Sequence, residues 1–224
     1  MIKNISNLGD AALYCDFGQE VNKETNTKVI RYFKSIQKKN IIGVNNLTPS
    51  YNKLIVSFDL KKNNFKSLKK EIENLDILNS ETLSSEKIVI PVCCDEDFSL
   101  DIKRLEEKLK IDREIVYEKF FTKDFLCYMT GFIAGMPFLG DLDKAMRVKR
   151  LETPRVKVPK GSVGLTEQFA NIYTFESPGG WNIIGNTPKD IFDSSKEIKP
   201  NLINPGDIIT FKRISKDQYQ NYNE

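Results

Sequence analysis

The sequence predicts an α+β protein of two domains, the first mixed and the second rich in β-strands. Over residues 11–82, strand-like alternation and amphipathic helical stripes follow one another. The polar stretch NSETLSSEK, residues 79–87, then interrupts the hydrophobic pattern as a linker would. From Tyr128 onward glycines, prolines and short alternating runs dominate, with turn signals every 8–12 residues or so, which is typical of a β-barrel or sandwich.

The first domain, residues 1–84, has a pattern that switches regularly between strand and helix. The expected order is a strand at 11–17, a helix at 22–39, strands at 41–47 and 53–60, a helix at 65–75 and a short strand near 77–82. In the first helix Val29, Phe33 and Ile36 share one stripe, and Asn22 is a suitable N-cap. The order β-α-β-β-α-β is the split βαβ, or ferredoxin-like, arrangement.

The second domain, residues 85–224, is expected to begin with a strand and two helices. IVIPV supplies the strand at 88–92, and the helices cover LDIKRLEEKLK and REIVYEKFF. The last predicted strand follows the Pro-Gly turn in NPGDIITFKRI, which begins at Asn204. A chain of 224 residues is long enough to bury two separate cores of this kind.

Composition excludes several classes of function. The net charge is only +3 and the lysines alternate with acids, which argues against nucleic-acid binding. The chain has no histidine, so histidine-based catalytic triads and the usual zinc centres are excluded, and no metal-ligand set is recognised. Neither GxxxxGK[ST] nor GxGxxG occurs, so any nucleotide cradle is of another kind.

The cysteines and the apolar segments indicate a cytoplasmic protein. The four cysteines form no CxxC pair, and the adjacent Cys93 and Cys94 are poorly placed to bridge each other, so reduced thiols are expected. The start of the chain lacks the apolar core of a signal peptide. The most apolar run, LCYMTGFIAGMPFLG, is 15 residues long and contains three glycines and a proline, so it is too short to span a membrane.

The stretch TFESPGGWNIIGNTP holds the only tryptophan and permits two interpretations. As a structural element, Pro178 and Gly179 suit the central positions of a type II turn, in which glycine supplies the positive φ. As a functional element, Glu176, Ser177 and a bare backbone at two glycines line a cleft with Trp181 as one wall. The candidate binding residues from this stretch are Ser177, Gly179, Gly180 and Trp181.

Two further stretches are candidates for the same cleft. GFIAGMPFLGDL is either a tight core loop or a pocket wall, and it contributes Gly131, Phe132 and Gly135 as candidate binding residues. TPRVKVPKGS is predicted to form a strand, which would place Arg155 and Lys157 on one face. Such a pair either recognises a carboxylate or phosphate or protects a solvated edge strand.

These motifs together resemble the family called allophanate hydrolase subunit 1, or KipI-like. One member of this family is the B component of the prokaryotic 5-oxoprolinases. The resemblance rests on GFIAGMPFLGDLD, TPRVKVPKGSVGL, ESPGGWNIIGNTP and INPGDIITF in this order, and on GDAALYCDFG, LTPSYNKLIVSFD and IPVCCDEDF upstream. It covers nearly the whole chain. It implies a ferredoxin-like N-terminal domain followed by a cyclophilin-like β-barrel, whereas periodicity alone indicates only a β-rich second domain.

The resemblance also implies a function. It implies that the chain is a non-autonomous subunit of an ATP-dependent 5-oxoprolinase, an enzyme that converts 5-oxo-L-proline to L-glutamate. The implied partners are the C and A components of that enzyme, which are allophanate hydrolase subunit 2-like and LamB/YcsF-like proteins. In that setting Arg155 and Lys157 would steady anionic groups, and Glu176 or Asp207 would act as catalytic carboxylates that accept a proton or orient a group. Two alternatives stay open: a KipI-like inhibitor that binds a sporulation histidine kinase, and a subunit related to allophanate hydrolase and urea carboxylase.

The sequence also departs from the family pattern. EQFAN at 167–171 stands where relatives carry a glycine-rich GGQTG, and Thr174 and Ala134 stand where proline is common. Phe120 occupies the position of a frequent histidine. Fewer backbone glycines leave less room for a ligand. These changes therefore make the regulatory alternative, a KipI-like inhibitor, more credible than it would be without them.

Overall fold

The computed structural model describes residues 1–78 and 85–223. Contacts between Cα atoms group the chain into two compact units, Met1–Ser85 and Glu86–Glu224. Each unit has its own hydrophobic core, one built on an antiparallel sheet and the other inside a barrel. None of the helices in the described residues is long and apolar enough to cross a membrane.

The first unit is a four-stranded antiparallel sheet with two helices packed on one face. Its elements are β1 (Asn4–Asn7), β2 (Ala12–Asp16), α1 (Lys23–Lys39), β3 (Val44–Pro49), β4 (Lys53–Phe58) and α2 (Phe65–Glu73). The strand order is β1-β2-β4-β3. Asn22 and Asn64 cap the two helices, because their side chains accept hydrogen bonds from the N–H groups of Thr25 and Ser67.

Alternation along the strands determines which face of the sheet is covered. Leu13 and Cys15 of β2 point to the same side and are fully buried. They pack with Val29 from α1 and with Leu68 and Ile72 from α2 in one apolar cluster. The unit is therefore an α/β sandwich that contains the predicted split βαβ unit, with β4 between β2 and β3, while its element order is β-β-α-β-β-α because β1 takes the edge position of the predicted last strand.

One strand of this sheet differs from the sequence-based expectation. The edge position beside β2 is occupied by β1, where Ile5 pairs with Cys15. The prediction missed β1, because its segment NISN offers a single buried apolar residue, Ile5, and no alternation to detect. The strand expected near 77–82 is not seen at Ile77 and Leu78, which lie in irregular structure, and 79–82 lie outside the described residues.

The second unit contains a closed barrel of seven strands. Its strands are β5 (Lys87–Cys93), β6 (Asp124–Thr130), β7 (Pro137–Gly140), β9 (Ser162–Thr166), β10 (Phe169–Ile172), β12 (Asn182–Asn186) and β13 (Ile208–Ile214). Around the barrel the order is β10-β7-β6-β13-β5-β12-β9. The first and last strands, β5 and β13, pair in parallel from Lys87–Ile208 to Cys93–Ile214. The predicted α+β class, with a cyclophilin-like barrel as the second unit, is confirmed.

Three helices and a ribbon complete the second unit. They are α3 (Ile102–Leu109), α4 (Arg113–Phe121), α5 (Lys216–Gln220) and the two-stranded ribbon of β8 (Arg155–Val158) and β11 (Ser177–Gly179). The predicted pair of helices is observed at α3 and α4. A short 3-10 helix at Lys144–Met146 follows β7.

All seven barrel strands send side chains into one interior cluster, which α3 and α4 complete. Aromatic rings dominate the contact with α4: Phe120 lies 5.1 Å from Phe125 of β6 and 4.8 Å from Phe211 of β13, measured between ring centroids. Phe120, which stands at the position of a frequent family histidine, is thus a fully buried core residue.

The ribbon lies on the outside of the barrel. Ile184 of β12 belongs to the interior cluster, whereas its neighbour Ile183 belongs to a separate cluster with Met136, Val158 and Tyr173. Since adjacent residues of a strand face opposite sides, this second cluster covers the outer surface of the barrel. We call Met136, Val158, Tyr173 and Ile183 the outer cluster.

Replacing Phe120 with alanine should lower the free energy of unfolding by about 3–5 kcal/mol, because it leaves a cavity among packed rings. The matched control is Ile115→Ala on the same helix, where the side chain is 42% exposed and the expected loss is under about 1 kcal/mol. Urea unfolding followed by the fluorescence of Trp181, the only tryptophan, measures both variants. Equal losses in the two variants would contradict the assigned packing of α4.

Candidate functional site

The candidate site is the surface where the ribbon, the loop 131–136 and Trp181 meet over the outer cluster. Trp181 and Phe138 pack edge to face, with ring centroids 5.6 Å apart and planes at 76°. Both residues, with Ile133, are partly buried against the outer cluster. We call this surface the ribbon site.

The corner that contains Trp181 is not the predicted turn. Ser177, Pro178 and Gly179 form β11, in which Ser177 pairs with Val158 and Gly179 with Arg155. Neither Gly179 nor Gly180 has a positive φ, so the type II turn expected at Pro178–Gly179 is wrong. The glycine at 179 is required for space, since a Cβ there would lie 2.1 Å from the Tyr173 hydroxyl oxygen.

Gly180, unlike Gly179, has room for a side-chain Cβ atom. A Cβ on Gly180 would meet nothing closer than the Leu151 carbonyl oxygen and Pro154, each at 3.6 Å. That separation is ordinary van der Waals contact. Of the two glycines, only Gly179 is fixed by close packing; Gly180 is buried, and its carbonyl oxygen accepts the Leu151 N–H at 2.7 Å.

The loop 131–136 presents an aromatic side chain to solvent. Phe132 has a φ of +70° and is 71% exposed. A left-handed backbone costs a residue other than glycine about 1–2 kcal/mol. The neighbouring turn is held by Gly135 (φ +71°), where a Cβ would lie 2.5 Å from the Phe192 ring.

Hydrogen bonds within the loop and to Thr174 fix its conformation. A hydrogen bond of 2.7 Å from the Thr174 hydroxyl to the Ala134 carbonyl oxygen fastens the loop to the end of β10. Gly131 donates its N–H to the Met136 carbonyl oxygen and closes the loop. The position of Phe132 is therefore determined by the loop around it.

Arg155 is engaged by a carboxylate of its own chain. Its guanidinium makes two hydrogen bonds to Asp101, of 2.6 and 3.0 Å. Asp101 is 5% exposed at its side chain, and its Oδ2 also accepts the Ile183 N–H at 2.7 Å. The charge of Arg155 is therefore neutralised inside the unit, in contrast to the expectation that it faces a ligand. The sequence did not identify Asp101 as a site residue, because a carboxylate next to a charged helix is usually exposed to solvent.

Lys157 and Glu176 form an exposed ion pair across the ribbon. The Lys157 ammonium nitrogen lies 2.9 Å from Glu176 Oε1, and the side chains are 73% and 56% exposed. This hydrogen bond raises the pKa of Lys157. An exposed pair of this kind contributes little to stability, so both groups can exchange their partner for a ligand at small cost.

Asp207 has a structural position. Its two carboxylate oxygens accept the N–H groups of Glu86 and Asn204, at 3.2 and 2.8 Å. These contacts lie where β5 and β13 begin, and they do not involve the ribbon. The structure does not bring Asp207 together with Glu176.

Buried polar groups beneath the ribbon were missed by the sequence analysis. Asn171 of β10 is fully buried, and its Oδ1 has no hydrogen-bond partner among the described residues; the same holds for the buried Ser177 Oγ. Burial raises the pKa of Tyr173, so its phenol is protonated at neutral pH. Asn171 comes from EQFAN, the segment that departs from the family pattern, and no rule of spacing marks it as a site residue.

The cysteines and possible metal ligands add no chemistry to this surface. All four cysteines are free and buried. Burial raises the pKa of Cys15 and of Cys94 to about 12, so these thiols are protonated at neutral pH. Within residues 1–78 and 85–223, no group of three or more acidic or cysteine side chains is arranged to hold a metal ion.

Comparisons with known proteins give a consistent result. The family model of the carboxyltransferase domain, subdomain C and D, matches residues 3–203. The chain is 31% identical to the B component of the 5-oxoprolinase of Bacillus subtilis, over 98% of this chain and 96% of the relative. It is 28% identical to the corresponding component from Haemophilus influenzae, over 93% and 96% of the two chains.

Solved structures agree with this result. The crystal structure of TTHA0988 matches with a TM-score of 0.83 and 26% identity over 92% of this chain, which spans 40% of that chain. The urea amidolyase of K. lactis shares the fold at a TM-score of 0.76 and 20% identity; this chain matches 15% of its length.

The two glycines beside Trp181 should respond differently to the same substitution. Gly179→Ala places a methyl against the Tyr173 hydroxyl and should lower the free energy of unfolding by about 1–3 kcal/mol. Gly180→Ala has room and an ordinary φ, so the change should stay within about 1 kcal/mol in either direction. Thermal melting of both variants tests the packing, and a larger loss at Gly180 would refute it.

Proposed function

This chain belongs to the family of the carboxyltransferase domain, subdomain C and D, and we propose on that premise that it is the B component of an ATP-dependent 5-oxoprolinase. The complex would convert 5-oxo-L-proline to L-glutamate. The observation that carries the proposal is the match along nearly the whole length of two relatives that bear this name, at 31% and 28% identity.

We propose further that the chain works only together with other polypeptides, the C and A components of the complex. In TTHA0988 and in the urea amidolyase, the part that corresponds to this chain is 40% and 15% of a longer chain. Those proteins therefore carry additional chain covalently linked to the equivalent unit. In a complex of separate polypeptides, the same neighbours would be supplied by partners.

The charges of the ribbon site support this division of labour. A lactam is a poor electrophile, and in the proposed complex ATP supplies the activation of its oxygen. Binding the nucleotide's phosphates requires several uncommitted cationic or N–H donors. At the ribbon site Arg155 is held by the buried Asp101, which leaves Lys157, in its exposed pair with Glu176, as the exchangeable cation of the ribbon. A single exchangeable lysine does not make a complete triphosphate site. We assign ATP binding to a partner polypeptide.

The part left to this chain is positioning. Trp181, which is only partly buried, offers a flat wall for a small ring beside the ribbon. Lys157 would steady the substrate carboxylate, and Glu176 would accept or orient a proton once its ion pair opens. The exposed Phe132 would contact the partner that closes the site, since exposed aromatic side chains are frequent anchors of protein interfaces.

The chain alone should release no glutamate from 5-oxoproline and ATP, whereas the mixture with its C and A partners should. The assay follows glutamate over time for the single chain, each pair of polypeptides and the full set. Release by the purified single chain would refute the division of labour. Failure to assemble with either partner, together with inhibition of a histidine kinase's autophosphorylation, would favour the regulatory alternative.

Glu176→Gln should lower kcat of the assembled complex by about 100-fold or more if this carboxylate transfers a proton in the reaction. The control is Glu197→Gln, an exposed carboxylate elsewhere in the same unit, which should leave kcat unchanged. Because Glu176 is exposed and its ion pair with Lys157 lies at the surface, the variant should fold and assemble normally. Unchanged kcat in both variants would remove Glu176 from the catalytic residues.

A further inference from the structure

We propose that the second unit has another binding site, for a small oxyanion, in a cavity of about 200 Å³ next to the end of β10. The cavity is lined by the turn between β8 and β9, by the loop that follows β12 and by α5. Its lining includes Lys160, Gly161, Thr187, Lys189 and Tyr219. The ligand class is a phosphate or a carboxylate.

A tight hydrogen-bonded frame forms the back of the cavity. Gly161 has a φ of +81°, and a Cβ there would lie 2.4 Å from the Thr187 carbonyl oxygen. The Asn186 side chain donates to the Lys160 carbonyl oxygen at 2.9 Å and accepts from the Tyr219 hydroxyl at 2.8 Å. Asn186 therefore ties the turn, β12 and α5 together, and the cavity keeps its shape without a ligand.

The Thr187 hydroxyl lines this cavity and, among the described residues, has no acceptor for its hydrogen. Thr187 is only 3% exposed, and its hydroxyl oxygen accepts the Lys189 N–H at 3.2 Å. The hydroxyl's own hydrogen meets no acceptor in the part of the chain that the structure describes. A buried hydroxyl that lacks a partner for its hydrogen is unfavourable, and an oxygen atom of a bound anion in the cavity would satisfy it.

The charges around this hydroxyl favour an anion. Lys160 forms an ion pair of 2.5 Å with Asp190, which also lines the cavity. Lys189 has no ion pair among residues 1–78 and 85–223. Two lysines against one aspartate leave one net positive charge, and lysine is a common partner of phosphate.

The volume limits the size of the ligand. Pockets for drug-sized molecules measure about 300–1,000 Å³, so a cavity of about 200 Å³ is too small for a whole nucleotide. A free phosphate, a small carboxylic acid or the terminal group of a larger molecule is of the right size.

The test is isothermal titration calorimetry of the whole chain with sodium phosphate and, separately, with sodium acetate at constant ionic strength. At least one anion should bind, with a dissociation constant of roughly 1 mM. Phosphate binding alone identifies a phosphate ligand, and acetate binding alone a carboxylate. Lys189→Gln should weaken binding about tenfold, since it removes a charge-assisted hydrogen bond.

Two further variants make the result specific. Thr187→Val keeps the side chain's shape but removes the hydroxyl, and it should also weaken binding. Lys212→Gln removes an exposed charge on β13 and should leave binding unchanged. Melting temperatures confirm that each variant is folded. Absence of binding by both anions, or equal weakening by Lys189→Gln and Lys212→Gln, would overturn the proposal and leave Thr187 to bind water.

Discussion

The carboxylate of Asp101 joins three elements of the second unit, namely the ribbon, β12 and the start of α3. It receives both arms of the Arg155 guanidinium from the ribbon and the Ile183 N–H from β12, at the point where α3 begins. The Asp101 N–H in turn donates to the Ile183 carbonyl oxygen at 2.9 Å. Removing one partner of such a buried pair leaves an unpaired charge, which typically costs about 3–5 kcal/mol. The position of the ribbon over the barrel, and with it the shape of the ribbon site, depends on this contact.

The same contact determines which charges are available for chemistry. With Arg155 committed to Asp101, the charged groups that the ribbon presents to solvent are the Lys157–Glu176 pair. Beneath it, Tyr173 fills the space under Gly179, and Asn171 and Ser177 keep oxygen atoms that no described residue satisfies. The result is a closely packed base with an exchangeable charge pair on top, which suits a subunit that positions a substrate for a partner.

Sequence patterns predicted those parts of the molecule that depend on local periodicity. Leu13 and Cys15 indicated their strand by alternation, and Phe65, Leu68 and Ile72 their helix by spacing. The motifs also identified the family, and that resemblance is confirmed.

Features fixed by distant contacts were not predictable. Ile5 becomes part of a strand only because Cys15 lies opposite. Gly179 looked like a turn residue, but its requirement comes from the Tyr173 hydroxyl. No local pattern marks Asp101, because its partner Arg155 lies 54 residues later in the chain.

The parallel pairing of β5 and β13 has a consequence for how the chain acquires its structure. Glu86 and Asp207, which join the starts of these two strands, are 121 residues apart. During synthesis the barrel therefore stays open until β13 has left the ribosome, whereas the described strands of the first unit lie within Asn4–Phe58. Long-range pairings of this kind form slowly, and unpaired strand edges are exposed in the meantime. A nascent or truncated chain that lacks β13 would expose the edges of β5 and β6, so the last strand governs whether the second unit escapes aggregation.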